Sequence, residues 1–218
     1  MPKGMASAPS LREERRLRQQ EVGRTQLLDA AEEVFGQKGF HDATLKEVAE
    51  LAEFSVGSVY SFFESKDDLF RQIFVRRGED FMASLHATLD GTKASPLDQL
   101  HALVDFEIGF FREHPRFGRL YLRYSSATSL SAERDVDVVV RERYEEAMRM
   151  QASVFRRGQR AGVIRKGDAE VLARLFSGLM SAYQALDPAV VADEPDPRER
   201  LPLAELHDIV ERAFAAVR

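Results

Sequence analysis

Thr44-Leu-Lys-Glu-Val-Ala-Glu-Leu-Ala-Glu-Phe-Ser-Val-Gly-Ser-Val-Tyr-Ser-Phe-Phe-Glu-Ser-Lys-Asp-Asp-Leu69 is the stretch that decides the fold. Thr44 is a helix-capping residue, and Glu47 three positions on completes a capping box. Val48, Ala49 and Ala52 then make a short apolar stripe at helical spacing. Glu53-Phe54 leaves room only for a tight turn. Ser55 caps a second helix, in which Val59 and Phe63, at i and i+4, face inward. Val56, Gly57, Ser58, Tyr60, Ser61 and Phe62 fall toward its outer side. Ser65 caps a third helix, with Asp68 in the box position. Two short helices joined by a tight turn form a helix-turn-helix, whose second helix fits the major groove of DNA.

The spacing Ala52-x-Phe54-Ser55-x-Gly57-x-x-Tyr60-x-x-Phe63-x-Ser65-Lys66-x-x-Leu69 resembles the DNA-binding signature of the TetR family of bacterial transcription regulators. The likeness of motif covers residues 24–70. Beyond them it is one of helix number, length and order. Two positions depart from the family pattern. Glu53 stands where a glycine is usual, in a turn that needs positive φ, and a Cβ there costs ~1 kcal/mol unless the turn adapts. Phe62 stands where Tyr or His is common, and a phenyl ring cannot donate a hydrogen bond to phosphate.

The resemblance implies an all-α chain of about nine helices. Residues 1–19 are expected as a disordered basic arm, 20–66 as the DNA-binding domain and 67–218 as a larger ligand-binding and dimerisation domain. Matching positions assign DNA contacts to Arg24, Thr44, Ser55, Val56, Gly57, Ser58, Tyr60, Ser61, Phe62 and Lys66. Thr44 and Lys66 stand at helix starts, where hydroxyls, free amides and positive charge meet phosphates. The small residues of the second helix let it approach base edges and thymine methyls. For Thr44 and Ser55 plain helix capping is the competing role.

Composition limits the alternatives. The chain has 218 residues, 44% of them apolar, enough for one or two compact domains. No run of about 18 apolar residues is present, so no membrane span is expected. The N-terminus is polar with no apolar signal core, which predicts a cytoplasmic protein. There is no cysteine, which rules out disulfides and thiolate metal sites. The net charge of −5 argues against a general coating of nucleic acid but allows a local basic footprint. Arg12, Arg15, Arg16, Arg18 and Arg24 supply one, although interleaved Glu13, Glu14 and Glu21 also fit a merely solvated tail.

In chain order, a first helix is predicted from Gln20 to Lys38, with Val22, Leu27, Leu28, Ala31, Val34 and Phe35 inward and Gly39 as its left-handed cap. A fourth helix, Lys66 to Leu89, is read as a rod joining the two halves. Asp90–Ser95 is a loop, and Pro96 opens a strongly apolar helix that His114-Pro115 ends. A short helix carries Phe117, Leu120, Tyr121 and Tyr124, and Ser125–Ser131 is a loop. Ala132–Ala161 reads as a long helix, although Val136–Val140 equally fits a strand. Asp168 caps the next helix, with Leu172, Leu175, Phe176, Leu179, Met180, Tyr183 and Leu186 on one face and Gly178, Ala182 and Ala185 on another. Pro188–Pro202 is a loop. Leu203, Leu206, Val210, Ala213 and Val217 give the last helix a bundle seam, which fits packing within the chain or against a second copy. The resemblance favours a homodimer through about 168–187 and 203–217.

The second domain would be the sensor. Phe106, Phe110, Tyr121, Tyr124, Met148, Phe155, Phe176, Met180 and Tyr183 are its candidate ligand-binding residues, with ordinary core packing as the alternative for each. The function implied is a ligand-responsive repressor of a palindromic operator, released by a small apolar or amphipathic effector. The alternatives are an all-helical interaction module, or a regulator of this fold without a ligand. Five scattered histidines form no catalytic or metal motif, so no enzyme and no cofactor are expected. His101 and Asp105, at i and i+4, are the nearest approach to a metal pair.

Overall fold

The computed structural model describes residues 10–90, 94–124, 138–194 and 196–216. Among the described residues there are ten α-helices and no strand, as an all-α chain requires. They are α1 Leu11–Asp42, α2 Leu45–Leu51, α3 Val56–Phe62, α4 Lys66–Asp90, α5 Pro96–Glu113, α6 Pro115–Tyr124, α7 Val138–Arg160, α8 Ala169–Gln184, α9 Pro188–Val191 and α10 Leu203–Phe214. One antiparallel bridge pairs Ile164 with Ala215. The chain divides into two compact units, Met1–Gln72 and Ile73–Arg218, with the division inside α4.

In the first unit, α1 begins at Leu11 rather than Gln20. Ser10 and Glu13 form a capping box: the Glu13 amide donates to the Ser10 hydroxyl at 3.3 Å, and the Ser10 amide donates to Glu13 Oε2 at 2.7 Å. Residues 11–19 are therefore helical, not a disordered arm; residues 1–9 lie outside the described ones. Leu, Arg, Glu and Gln are all good helix formers, and interleaved charge does not oppose them. Gly39, at φ 78°, interrupts the helix near its end. Leu27, Ala31, Val34 and Phe35 are buried as their spacing predicts, whereas Val22 is exposed. Val48, Ala49, Val59, Phe63 and Leu69 of the same unit are buried as well. The Phe35 and Phe70 rings meet edge to face at 5.4 Å.

The core of the second unit gathers Leu100, Leu103, Val104 and Ile108 of α5, Phe155 of α7, Phe176 and Met180 of α8, and Leu206, Val210 and Phe214 of α10. The α10 seam at Leu206 and Val210 is thus used within the chain. On α8, Leu172, Phe176 and Met180 point inward, but Leu175 and Leu186, expected on the same face, are exposed. A helix turn of 3.6 residues sets position 175 about 60° from 172, about 100° from 176 and about 140° from 180, off the centre of the inward face. The expected loop Pro188–Pro202 contains α9 and a 3₁₀ turn at Pro197–Glu199, each opened by a capping aspartate with proline at the first helical position. Val138–Val140 are helical, which removes the strand alternative there. The expected loop Ser125–Ser131, the helix start at Ala132 and the helix end at Val217 lie outside the described residues.

Candidate nucleic-acid interface and effector cavity

The outward side of α3 is built from both its ends. Thr44 caps α2: the Glu47 amide donates to Thr44 Oγ1 at 3.2 Å, and the Thr44 amide donates to Glu47 Oε2 at 2.9 Å. Hydrogen bonds from Lys38 and Thr44 hold the Glu47 carboxyl down at about 2. At the other end of α2 the chain turns through Glu53 at φ 60°, the one non-glycine residue with positive φ among the described residues. The Glu53 amide donates to Glu50 O at 3.2 Å and the Phe54 amide to Ala49 O at 2.8 Å, the paired bonds of a Schellman turn. The turn keeps its left-handed residue and does not adapt to glutamate.

Ser55 then caps α3, accepting from the Ser58 amide at 3.0 Å. Val59 is fully buried and Phe63 nearly so, which turns the opposite face of the helix outward. Val56 and Tyr60 are 38% and 58% exposed on that face. Gly57 and Ser61 are exposed beside them, and Ser58 is half-buried. Ser61 Oγ donates to Ser58 O at 2.6 Å.

The other sequence-predicted contacts are engaged within the unit. Phe62 is half-buried, its ring edge-on to Phe54 at 6.2 Å, and a Cβ at Gly23 would lie 3.1 Å from its tip. Arg24 Nη1 donates to Phe62 O at 3.2 Å while its guanidinium lies over the Phe63 ring at 4.7 Å. Lys66 Nζ donates to His41 O at 3.3 Å and sits 4.6 Å from the Phe40 ring centre. Arg15 and Arg18, which sequence reasoning placed in an arm, line an open groove with Val22, Phe54 and Phe62.

The second unit contains a cavity of about 100 Å³. Of the nine sequence-predicted ligand residues, Tyr121 and Met148 line it. The remaining seven do not. Phe155 and Phe176 form an aromatic cluster with Phe214, and Phe106 and Phe110 pack on Phe81. Met180 and Tyr124 are buried, and Tyr183 donates its hydroxyl to Pro202 O at 2.9 Å. Helical spacing identifies inward residues but does not separate core from cavity wall.

Sequence reasoning missed the polar lining: Glu107, Gln151, Ser177, Ser181 and Gln184. Gln151 Nε2 donates to Glu107 Oε1 at 2.7 Å. Burial pushes the Glu107 carboxyl up to about 8. A signal for Glu107 was present, an acidic residue between Phe106 and Ile108 on a strongly apolar helix. His101 pairs with His207 rather than Asp105, Nδ1 to Nδ1 at 2.8 Å, and His207 Nε2 bonds Asp105 Oδ1 at 2.9 Å. Among the described residues no group of three acidic or histidine side chains is placed to hold a metal ion.

Residues 27–73 match the model of the bacterial regulatory proteins, tetR family. A regulator of Escherichia coli (strain K12), UidR, is 34% identical over 68 residues, which cover 31% of this chain and 35% of that protein. The chain thus spans about a third of the length of the curated relatives it first matches. The fold likeness runs further. The ketosteroid transcriptional regulator KstR2 of Mycobacterium tuberculosis superposes with a TM-score of 0.70 at 20% identity, over 89% of this chain and 95% of that one. A transcriptional regulator from Saccharomonospora viridis, solved in complex with choline, gives 0.71 at 20% identity, over 90% of this chain and all of the other. Sequence match in the first unit and fold match over both agree: residues 27–73 are a domain of the tetR family of bacterial regulatory proteins, and the chain has the fold of regulators of that family.

Proposed function

We propose that this chain is a DNA-binding transcriptional repressor that binds a palindromic operator as a homodimer and is released by a small molecule held in its second unit. The observation that carries the reading is the outward face of α3, where Val56, Gly57, Tyr60 and Ser61 are exposed beside buried Val59 and Phe63. This face is narrow enough to enter a major groove, with the free amides of the capped helix start available to phosphate. Arg12, Arg15, Arg16 and Arg18, exposed along the start of α1, add phosphate contacts. Arg24, Phe62 and Lys66 position the head through the internal contacts described above. A regulator of this kind works in the cytoplasm, where its operator is.

The homodimer uses the outer side of α8. Val171, Leu175, Gly178 and Ala182 are exposed at three- and four-residue spacing, with Val171 and Leu175 each more than half exposed. An apolar stripe of this period seeks a second helix. Exposed Ile209 extends it onto α10. A two-fold axis there gives each pair of heads the symmetry of a palindrome.

The effector site is the cavity lined by Tyr121 and Met148. Of the regulators that share this fold, one is a ketosteroid transcriptional regulator and another was solved in complex with choline; an effector site in our chain would shift a pre-existing equilibrium between operator-binding and released forms. Fluorescence anisotropy with DNA from upstream of the chain's own coding region tests the reading. Specific binding is expected to weaken about tenfold on Tyr60→Ala and to fall steeply with salt. Equal affinity for unrelated DNA of the same length would overturn it.

A further inference from the structure

The cavity of the second unit is chemically lopsided. Phe74, Phe81, Phe111 and Tyr121 present ring surface to it. Three of its polar groups are nearly or wholly inaccessible to solvent: Glu107 at 5%, Gln151 at 1% and Gln184 at 1%. Gln151 spends its amide N–H on Glu107, and among the described residues its Oε1 finds no hydrogen-bond donor. Gln184 Oε1 finds none either. Buried acceptors without donors are costly, and two beside a buried carboxyl in one cavity form a built site for a donor or a positive charge.

The cations already at the cavity do not fill that role. Arg77 of α4 and Arg143 of α7 line it, but Arg77 Nη1 pairs with Asp80 Oδ2 at 3.3 Å and Arg143 Nη1 with Glu146 Oε2 at 3.3 Å. Their charge is balanced on their own helices. No charged residue of α6 or α8 lines the cavity; among the described residues Tyr121 and Tyr144 are the other titratable groups there.

We propose that the effector is a small organic cation, an ammonium or quaternary amine with a compact apolar body, held by Glu107, Gln151 Oε1 and Gln184 Oε1 with its charge against the aromatic walls. This rests on the cavity being the effector site, and specifies what it selects. Aromatic faces attract a desolvated cation, and the carboxylate supplies the counter-charge that burial otherwise disfavours. Because burial favours the protonated carboxyl in the empty site, a cation that pairs with Glu107 expels its proton.

Three probes of one shape separate charge from fit: choline, 3,3-dimethylbutan-1-ol and 3,3-dimethylbutanoate. Calorimetry on the full chain is expected to show choline bound at least about tenfold more tightly than the neutral alcohol, and the carboxylate more weakly still. Choline affinity should rise between about pH 6.5 and pH 8.5, with proton release read from an observed heat that changes with the ionisation enthalpy of the buffer. Glu107→Gln should remove the preference for choline over the alcohol, and Gln184→Met should weaken choline alone, with thermal unfolding confirming that both variants fold. Equal or tighter binding of the alcohol or the carboxylate, absence of choline binding, or an unchanged preference in Glu107→Gln overturns the assignment. The same titrations against operator DNA separate the two levels. Release by the neutral or anionic probe would keep the cavity as effector site and discard the cation. Choline bound through Glu107 without effect on DNA would keep the cation and discard the effector role.

Discussion

The Phe54 amide donates to Ala49 O at 2.8 Å, and that bond forces the residue between α2 and α3, Glu53, to φ 60°. The side chain is exposed, so it gains nothing in packing to offset the backbone strain. Glu53→Gly is predicted to stabilise the first unit by about 1 kcal/mol, and Glu53→Val to destabilise it by a similar amount or more. Thermal unfolding of the three proteins at equal concentration measures both. A glycine variant no more stable than the parent would mean the turn is unstrained.

Buried Asp187 is a hub of the second unit. Its Oδ2 accepts from Arg112 Nε at 2.7 Å, and its Oδ1 accepts from the Ala189 and Leu201 amides. Arg112 Nη2 also donates to Leu201 O at 2.6 Å, so the pair ties α5 to both ends of the α9 segment. Asp187→Ala leaves a guanidinium without its counter-ion and is predicted to cost about 3–5 kcal/mol. Denaturant unfolding checks it, and a loss under 1 kcal/mol would show the hub to be dispensable.

Glu107 makes stability depend on pH in the direction opposite to a paired carboxylate. Its folded carboxyl titrates near 8 against an ordinary 4.5. Between those values the unfolded chain has released the proton that the folded chain retains, so stability falls as pH rises and the full penalty is reached above about 8. Glu107→Gln removes the group that ionises. The variant should gain at least about 2 kcal/mol relative to the parent at pH 8 and little at pH 5. A gain independent of pH would contradict the buried, protonated carboxyl.

The exposed stripe on α8 predicts the assembly. Leu175→Glu places a charge at its centre and should convert a dimer into a monomer in sedimentation equilibrium, with the helical circular-dichroism signal retained. A parent that is already monomeric at micromolar concentration, or a variant dimer as tight as the parent, would remove α8 from the interface.

Local chemistry made the first unit legible. The Thr44 and Ser55 caps, the brief Glu53-Phe54 turn and inward Val59 and Phe63 are all present where their spacing put them. What spacing did not carry was the partner of each inward side chain. Phe62 lay on the outer side of α3 by count, but its ring is drawn in by Phe54, eight residues back, and by the open backbone at Gly23, 39 residues back. In the second unit the aromatics were read as one pool. The structure divides them: Phe155 and Phe176 join Phe214 in a solid cluster, while Tyr121 joins Phe81 and Phe111 in the cavity wall. That division depends on how helices distant in sequence are packed, which no single periodicity records. The early start of α1 was missed because its capping box, Ser10 to Glu13, precedes a charged rather than an apolar run.

Selection of DNA from a random pool by the purified full chain tests the central claim most directly, because it asks whether the outward face of α3 reads sequence and whether it does so in pairs. The account predicts enrichment of a two-fold symmetric site, loss of that enrichment on Tyr60→Ala, and its retention on substitution of exposed residues elsewhere, such as Arg156→Ala. A pool that stays random, or one that converges on an asymmetric site unaffected by Tyr60→Ala, would contradict it.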